Sequence, residues 1–289
     1  MLNFYRRSGE FRENRRPLFY FLLMLALFAA VVGLAPVASA IGPDNGPDTG
    51  PIHRPHGAGW FTCRHDVHAN LANNLIARNN GDQPMCVGSY TWGDTFTVYH
   101  SSVTRDWADF PNIYTGCEMD GSLPQLCTQG SQKPVRVSSI RSDVSSVSYY
   151  YPYSDFAGNA AYDIWFDRTS RPPQGRDDGA EIMIWLGANG IGAPAFTRIV
   201  EIDGIEWGYI TWGAFHSGHG WNYIRYWRLS GSSNSSAVTL NLVPFFKDAE
   251  RAGRLSSGWY LTGTEFGFET CFGGKGLAVR RFSDRLKSG

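Results

Sequence analysis

"GAEIMIWLG", residues 179–187, is a run of strand-forming residues with a carboxylate at its front. Read with period two, Ile182, Ile184 and Leu186 fall on one face and Glu181, Met183 and Trp185 on the other. The first face suits a core. The second sets an acid beside a thioether and an indole, which a core face would not choose.

The stretch "AAYDIWFD", residues 160–167, has the same design. Tyr162, Ile164 and Phe166 point one way, and Asp163, Trp165 and Asp167 the other. The polar, proline-containing segment 168–179 separates the two stretches, as expected of hairpin neighbours that show an acid and a tryptophan on one sheet face. A third stretch, "LTGTEFGFETCFGG" (261–274), puts Gly263, Glu265, Gly267 and Glu269 together, with Phe266 and Phe268 opposite. Glycines there would leave room for a ligand to approach. Indole faces stack on sugar rings, and paired carboxyls flank a glycosidic bond to be cut, so this face reads as the floor of a sugar cleft.

Around these strands the chain is of one kind. It has 289 residues, 15% aromatic and only 18% charged, with 33 glycines, as in an aromatic-rich all-β protein. Short apolar runs recur between turn signals, at 95–99, 134–140, 145–151, 205–212, 221–229, 237–242 and 258–269. Many strands at short spacing predict a sandwich or jelly roll in one domain, 59–289. "VPFFKDAERAG" (243–253) is the exception. Pro244 suits a first helical turn, Phe245, Phe246, Ala249 and Ala252 form an apolar stripe, and Gly253 ends it, so one amphipathic helix is expected.

The amino end differs. Five arginines precede an uncharged run from Leu18 to Leu34, and Ala38-Ser39-Ala40 gives a small-x-small site. This predicts a signal peptide over 1–40, cleaved after Ala40, and hence a secreted protein; left uncleaved, the same run would anchor the chain to a membrane. Residues 41–58, rich in Pro and Gly, read as a linker. Cleavage would leave 21 basic against 24 acidic residues, with no basic field for nucleic acid.

All five cysteines lie beyond the signal region, where disulfides are allowed. Proximity favours Cys117–Cys127; Cys63–Cys86 would then join the first strands, leaving Cys271 as the odd thiol. Cys63, His65, His68 and Cys86 match no strong zinc spacing, and no metal or other cofactor is expected.

The motifs "YDIWFD", "EIMIW", "WNYIRYWR" with "FFKDAERAG", and "GFETCFGGKGLAV", in that order, resemble the catalytic domains of glycoside hydrolase family 12. The resemblance runs from Gly59 to about Ser283. It implies a two-sheet antiparallel β-jelly roll, a concanavalin-like sandwich, acting as a monomer on internal bonds of a β-1,4-glucan with retention of configuration. Cellulose, mixed-linkage glucan and xyloglucan are all candidate polymers. By motif position Glu181 would be the nucleophile, Glu269 the general acid/base and Asp163 a residue that tunes the nucleophile. Trp165, Trp185, Met183, Glu265, Asn80 and His216 would line or support the groove.

Three positions depart from the family. An aromatic, commonly Trp, usually follows the Asn-Asn pair, but Asn79-Asn80 is followed here by Gly81. Thr270-Cys271 stands where Pro-Trp is common, and Glu265 where Gln is usual. The alternatives to a cellulase are therefore a xyloglucan-specific endoglucanase and a weakly active glucan-binding sandwich.

Overall fold

The structure, a computed structural model, describes residues 60–62, 67–71, 75–81, 85–89, 94–104, 107, 109–117, 127–128, 130–170, 178–213, 220–231 and 233–289. The side chains of 60–62, 67–70, 80 and 81 are outside that description. The signal and linker segments, Cys63, Trp92, His216 and His219 therefore lie outside the described residues.

Two sheets are stacked. The smaller runs β1 (Trp60–Thr62), β4 (Met85–Ser89), β5 (Phe96–Ser101), β17 (Ala278–Ser288), β8 (Ile140–Tyr150), β14 (Ser235–Asn241). The larger runs β11 (Arg198–Ile202), β12 (Ile205–Trp212), β13 (Asn222–Arg228), β10 (Ala180–Asn189), β9 (Phe156–Asp167), β15 (Tyr260–Gly267), β6 (Asp109–Gly116), β3 (Ile76–Gly81), β2 (Val67–Asn70). Off that path, β16 (Thr270–Gly273) pairs with β6 and β9, and β7 (Val135–Arg136) with β15. This is the expected all-β jelly-roll sandwich. Its described pairings are antiparallel except β10–β13, which is parallel.

The alternation seen in the sequence sorts the faces as expected. Tyr162, Ile164 and Phe166 of β9 and Ile182, Ile184 and Leu186 of β10 are fully buried in the core. From the smaller sheet, Val147, Tyr149 and Phe282 close over them, with the Tyr149 and Phe266 rings 5.4 Å apart across the sandwich. The single α-helix among the described residues, α1 (Val243–Arg251), docks Phe245, Phe246 and Ala249 beneath the large sheet, whereas Ala252, expected in the stripe, is its C-cap and exposed. Phe245 packs edge-on to Trp207 at 5.1 Å and Phe246 to Phe166 at 5.1 Å. The helix ends where Gly253 takes a positive φ of 67°, which L side chains resist.

One strand expectation is corrected. The run 134–140 is not a strand: after the two residues of β7 it turns through a 3-10 helix, Val137–Ser139, and Ile140 already belongs to β8. Cys117 and Cys127 are bridged and Cys271 is a buried thiol, both as expected. Cys86 is disulfide-bonded, and its expected partner Cys63 lies outside the described residues.

Candidate active site

The outer face of the large sheet is set by the register of four neighbouring strands. One row of side chains reads Tyr223, Glu181, Trp165, Gly263 on β13, β10, β9 and β15. The next row reads Arg225, Met183, Asp163, Glu265, and the third Trp227, Trp185, Ala161, Gly267. The hairpin inferred from sequence therefore exists, and Glu181, Asp163 and Glu265 share one face with Trp165, Met183 and Trp185. Glu269 follows β15 and is partly buried. It is anchored to β9 twice: its backbone carbonyl accepts the Asn159 N–H at 3.1 Å, and its Oε2 accepts a hydrogen bond from Asn159 Nδ2.

Glu181 is only 9% exposed, and its Oε2 accepts the Trp221 Nε1–H at 2.8 Å. Burial first, and the Glu269 charge second, push its carboxyl up to about 8, while the Trp221 N–H and the Arg225 charge pull the other way. Burial raises Glu269 too, opposed by Asn159 and Arg225. Two carboxyls that feel each other lose their protons in separate steps, so the pair keeps a single proton over an interval of pH. Such a pair offers an ionised carboxylate and a proton donor at once.

The aromatic residues are more buried than a lining role would need. Trp185 is 2% exposed, covered by Trp227 at 4.7 Å and Trp107 at 5.9 Å between ring centroids. Trp165 is also buried, edge-on to Trp221 at 5.4 Å. Met183 is buried and accepts the Tyr223 hydroxyl proton at 3.3 Å. These three side chains support the floor. The exposed ring is Trp107, 49% accessible and at a positive φ of 54°.

The glycines on this face have a different cause from the one expected. A Cβ on Gly263 would stand 2.4 Å from the Cys117 carbonyl oxygen, and one on Gly267 2.4 Å from that of Pro111. They permit close approach of β6, not of a ligand. Glu265 is buried opposite Asp163 and Tyr114. Asn80 pairs through its strand with Phe110, its side chain being outside the description, and His216 lies outside it altogether.

Sequence reasoning assigned no role to Asn159, Trp221, Tyr223 or Arg225. The last three lie in "WNYIRYWR" with period two, so their shared face was readable; the parallel partner that brings them to Glu181 was not. Asn159 lies on β9 in phase with Asp163, one residue before the strand was expected to begin.

Comparison with known proteins gives the family and the fold. The family described as Glycosyl hydrolase family 12 matches residues 69–287. Endoglucanase S of Pectobacterium parmentieri is 30% identical over 198 residues, which are 64% of this chain and 72% of that protein. A xyloglucan-specific endo-beta-1,4-glucanase A of Emericella nidulans is 28% identical, over 68% of this chain and 76% of that one. Among solved structures, an endoglucanase from Rhodothermus marinus superposes with a TM-score of 0.68 at 31% identity, covering 80% of this chain and all of that one.

Proposed function

We propose that this chain, which belongs to glycoside hydrolase family 12, is a secreted, retaining endo-β-1,4-glucanase with Glu181 as nucleophile and Glu269 as general acid/base. The observation that carries the assignment is the pairing of two interacting carboxyls, one buried and one partly buried, each oriented by its own N–H donor. In the first step a Glu181 oxygen attacks the anomeric carbon and the glycosidic C–O bond breaks. The leaving oxygen takes the proton of Glu269. In the second, Glu269 takes a proton from water, whose oxygen displaces Glu181 and restores both groups. Trp221 holds Glu181 Oε2, which leaves Oε1 for the sugar. Asp163, diagonal to Glu181 one row along the face, tunes the nucleophile.

Activity then needs one proton on the pair, so the rate rises as the first carboxyl ionises and falls as the second does. The substrate is a β-glucan. Unbranched glucan is favoured by the likeness to the two endoglucanases, and xyloglucan is the second reading, supported by the Emericella nidulans relative. Secretion rests on the amino-terminal segment and its Ala-x-Ala site.

The test is a panel of carboxymethylcellulose, mixed-linkage glucan and xyloglucan with product lengths and anomeric configuration read by NMR, on wild type and Glu181→Gln. Retention, internal cleavage and loss of turnover in the folded variant are expected. Wild-type turnover by Glu181→Gln would remove the nucleophile assignment.

A further inference from the structure

Arg225 is a cation built into the floor beside the acids. It is 7% exposed, and its Nε is buried with no hydrogen-bond partner. A guanidinium in that position loses most of its hydration and needs compensation. Indoles provide part of it: the guanidinium carbon lies 4.3 Å from the Trp185 ring centroid, 5.9 Å from that of Trp227 and 5.7 Å from that of Trp212. Three rings around one planar group fix where its charge sits.

That place is next to the carboxyl pair. Arg225 stands opposite Met183, and two residues earlier on β13 Tyr223 stands opposite Glu181. Guanidinium and carboxyl are thus diagonal neighbours on one face, a spacing that long side chains span. Among the described residues, the other titratable groups of the face are Tyr223 on the same strand, Asp163 on β9, Glu265 and Glu269 on and after β15, and, farther across, Tyr114 on β6 and Arg78 on β3. Of the two guanidiniums on this face, Arg225 is the one on the strand that adjoins Glu181, and Arg78 lies across β9, β15 and β6 from it.

We propose that Arg225 is a positioning residue for the hydrolytic pair, the fixed countercharge against which one of its two carboxyls is held as the anion. The inference rests on the reading of Glu181 and Glu269 as that pair. The Arg225 charge favours ionisation of both Glu181 and Glu269, in agreement with this role. An arginine that only filled space under the tryptophans would leave both titrations where they are when replaced by an apolar chain of similar reach.

The experiment titrates the ¹³C-labelled glutamate carboxyl carbons by NMR, with Glu181→Gln and Glu269→Gln assigning the two resonances. In Arg225→Met both midpoints rise by about one pH unit. In Arg225→Lys, which keeps the charge, they stay within about half a unit of wild type. The two limbs of the kcat–pH profile on mixed-linkage glucan move upward with them. A folded Arg225→Met with unshifted midpoints overturns the inference. Should that variant not fold, Trp227→Leu loosens the clamp and gives a smaller rise in the same direction; unchanged midpoints there overturn it equally. Because the titration needs no turnover, a chain that titrates as expected but cleaves no β-glucan would defeat the proposed function separately.

Discussion

Trp221 Nε1 donates a 2.8 Å hydrogen bond to Glu181 Oε2, joining residues 40 positions apart through the parallel pairing of β10 and β13. Trp221→Phe keeps a ring against Trp165 and removes only the donor. A hydrogen bond to a charged group contributes about 1.5–3 kcal/mol, so kcat on a β-glucan is expected to fall roughly tenfold or more. The acid limb of the pH profile should move up, because the carboxylate loses a partner. Steady-state kinetics from pH 4 to 9 check both; an unchanged acid limb would mean that the bond does not act on the nucleophile.

A second charged cluster lies inside the sandwich, away from the candidate site. Lys133 Nζ donates to Asp284 and to Thr264, each at 2.6 Å, and Asp143 beside them is fully buried. Burial, helped by Asp284 and opposed by Lys133, pushes Asp143 up to about 7 from an ordinary 3.8. The folded state therefore binds this proton more tightly than the unfolded one. That stabilisation is complete below about pH 4 and is lost as pH rises through 7. Asp143→Asn should flatten the fall in Tm between pH 5 and 8 and leave Tm at pH 4 nearly unchanged. Thermal unfolding at the three pH values checks it, and a parallel displacement at all three would refute the titration account.

Trp107 is a candidate replacement for the missing aromatic. Gly81 pairs with Asp109, two residues beyond Trp107, whose exposed ring leans on Trp185. An aromatic stacked on a sugar contributes on the order of 1 kcal/mol, so Trp107→Ala in the Glu181→Gln background should weaken cellotetraose binding roughly fivefold. Gly81→Trp should then tighten it by clearly less than fivefold while Trp107 is present, and by more in its absence. Calorimetric affinities of the four variants decide this; additive effects would show that the two rings occupy separate positions.

The helix offers a test of the fold. Phe245 is 1% exposed and meets Trp207 and Tyr226 at 5.1 and 5.0 Å. Phe245→Ala should destabilise by about 3–5 kcal/mol. Denaturant unfolding reads it directly.

Much of this architecture was legible because its signals are local. Period two in 160–167 and 181–186 gave the two faces, and Pro244 with Gly253 bounded the helix. β8 hid in part because Asp143 and Ser145 take core-facing positions in line with Val147 and Tyr149, masking the pattern. β17 hid because bulges at Val279/Arg281 and Lys287/Ser288 break its period. Of the candidate site, the acids were readable from their motifs. Asn159, Trp221 and Arg225 acquire meaning only from which strands adjoin, which no local window contains. Gly263 and Gly267 show the same limit from the other side: their place on the face was right and the reason for it was wrong.

The position of β17 decides whether the smaller sheet is one layer or two. Residues 278–288 lie between β5 and β8 in the middle of the smaller sheet. Without β17 the smaller sheet is two half-sheets, β1-β4-β5 and β8-β14, each with an open edge. The candidate acids on β9, β10 and after β15 are all made before that strand, yet the layer behind them is not continuous without it. One strand, β17, thus makes a single continuous layer behind the candidate acids out of two separate half-sheets.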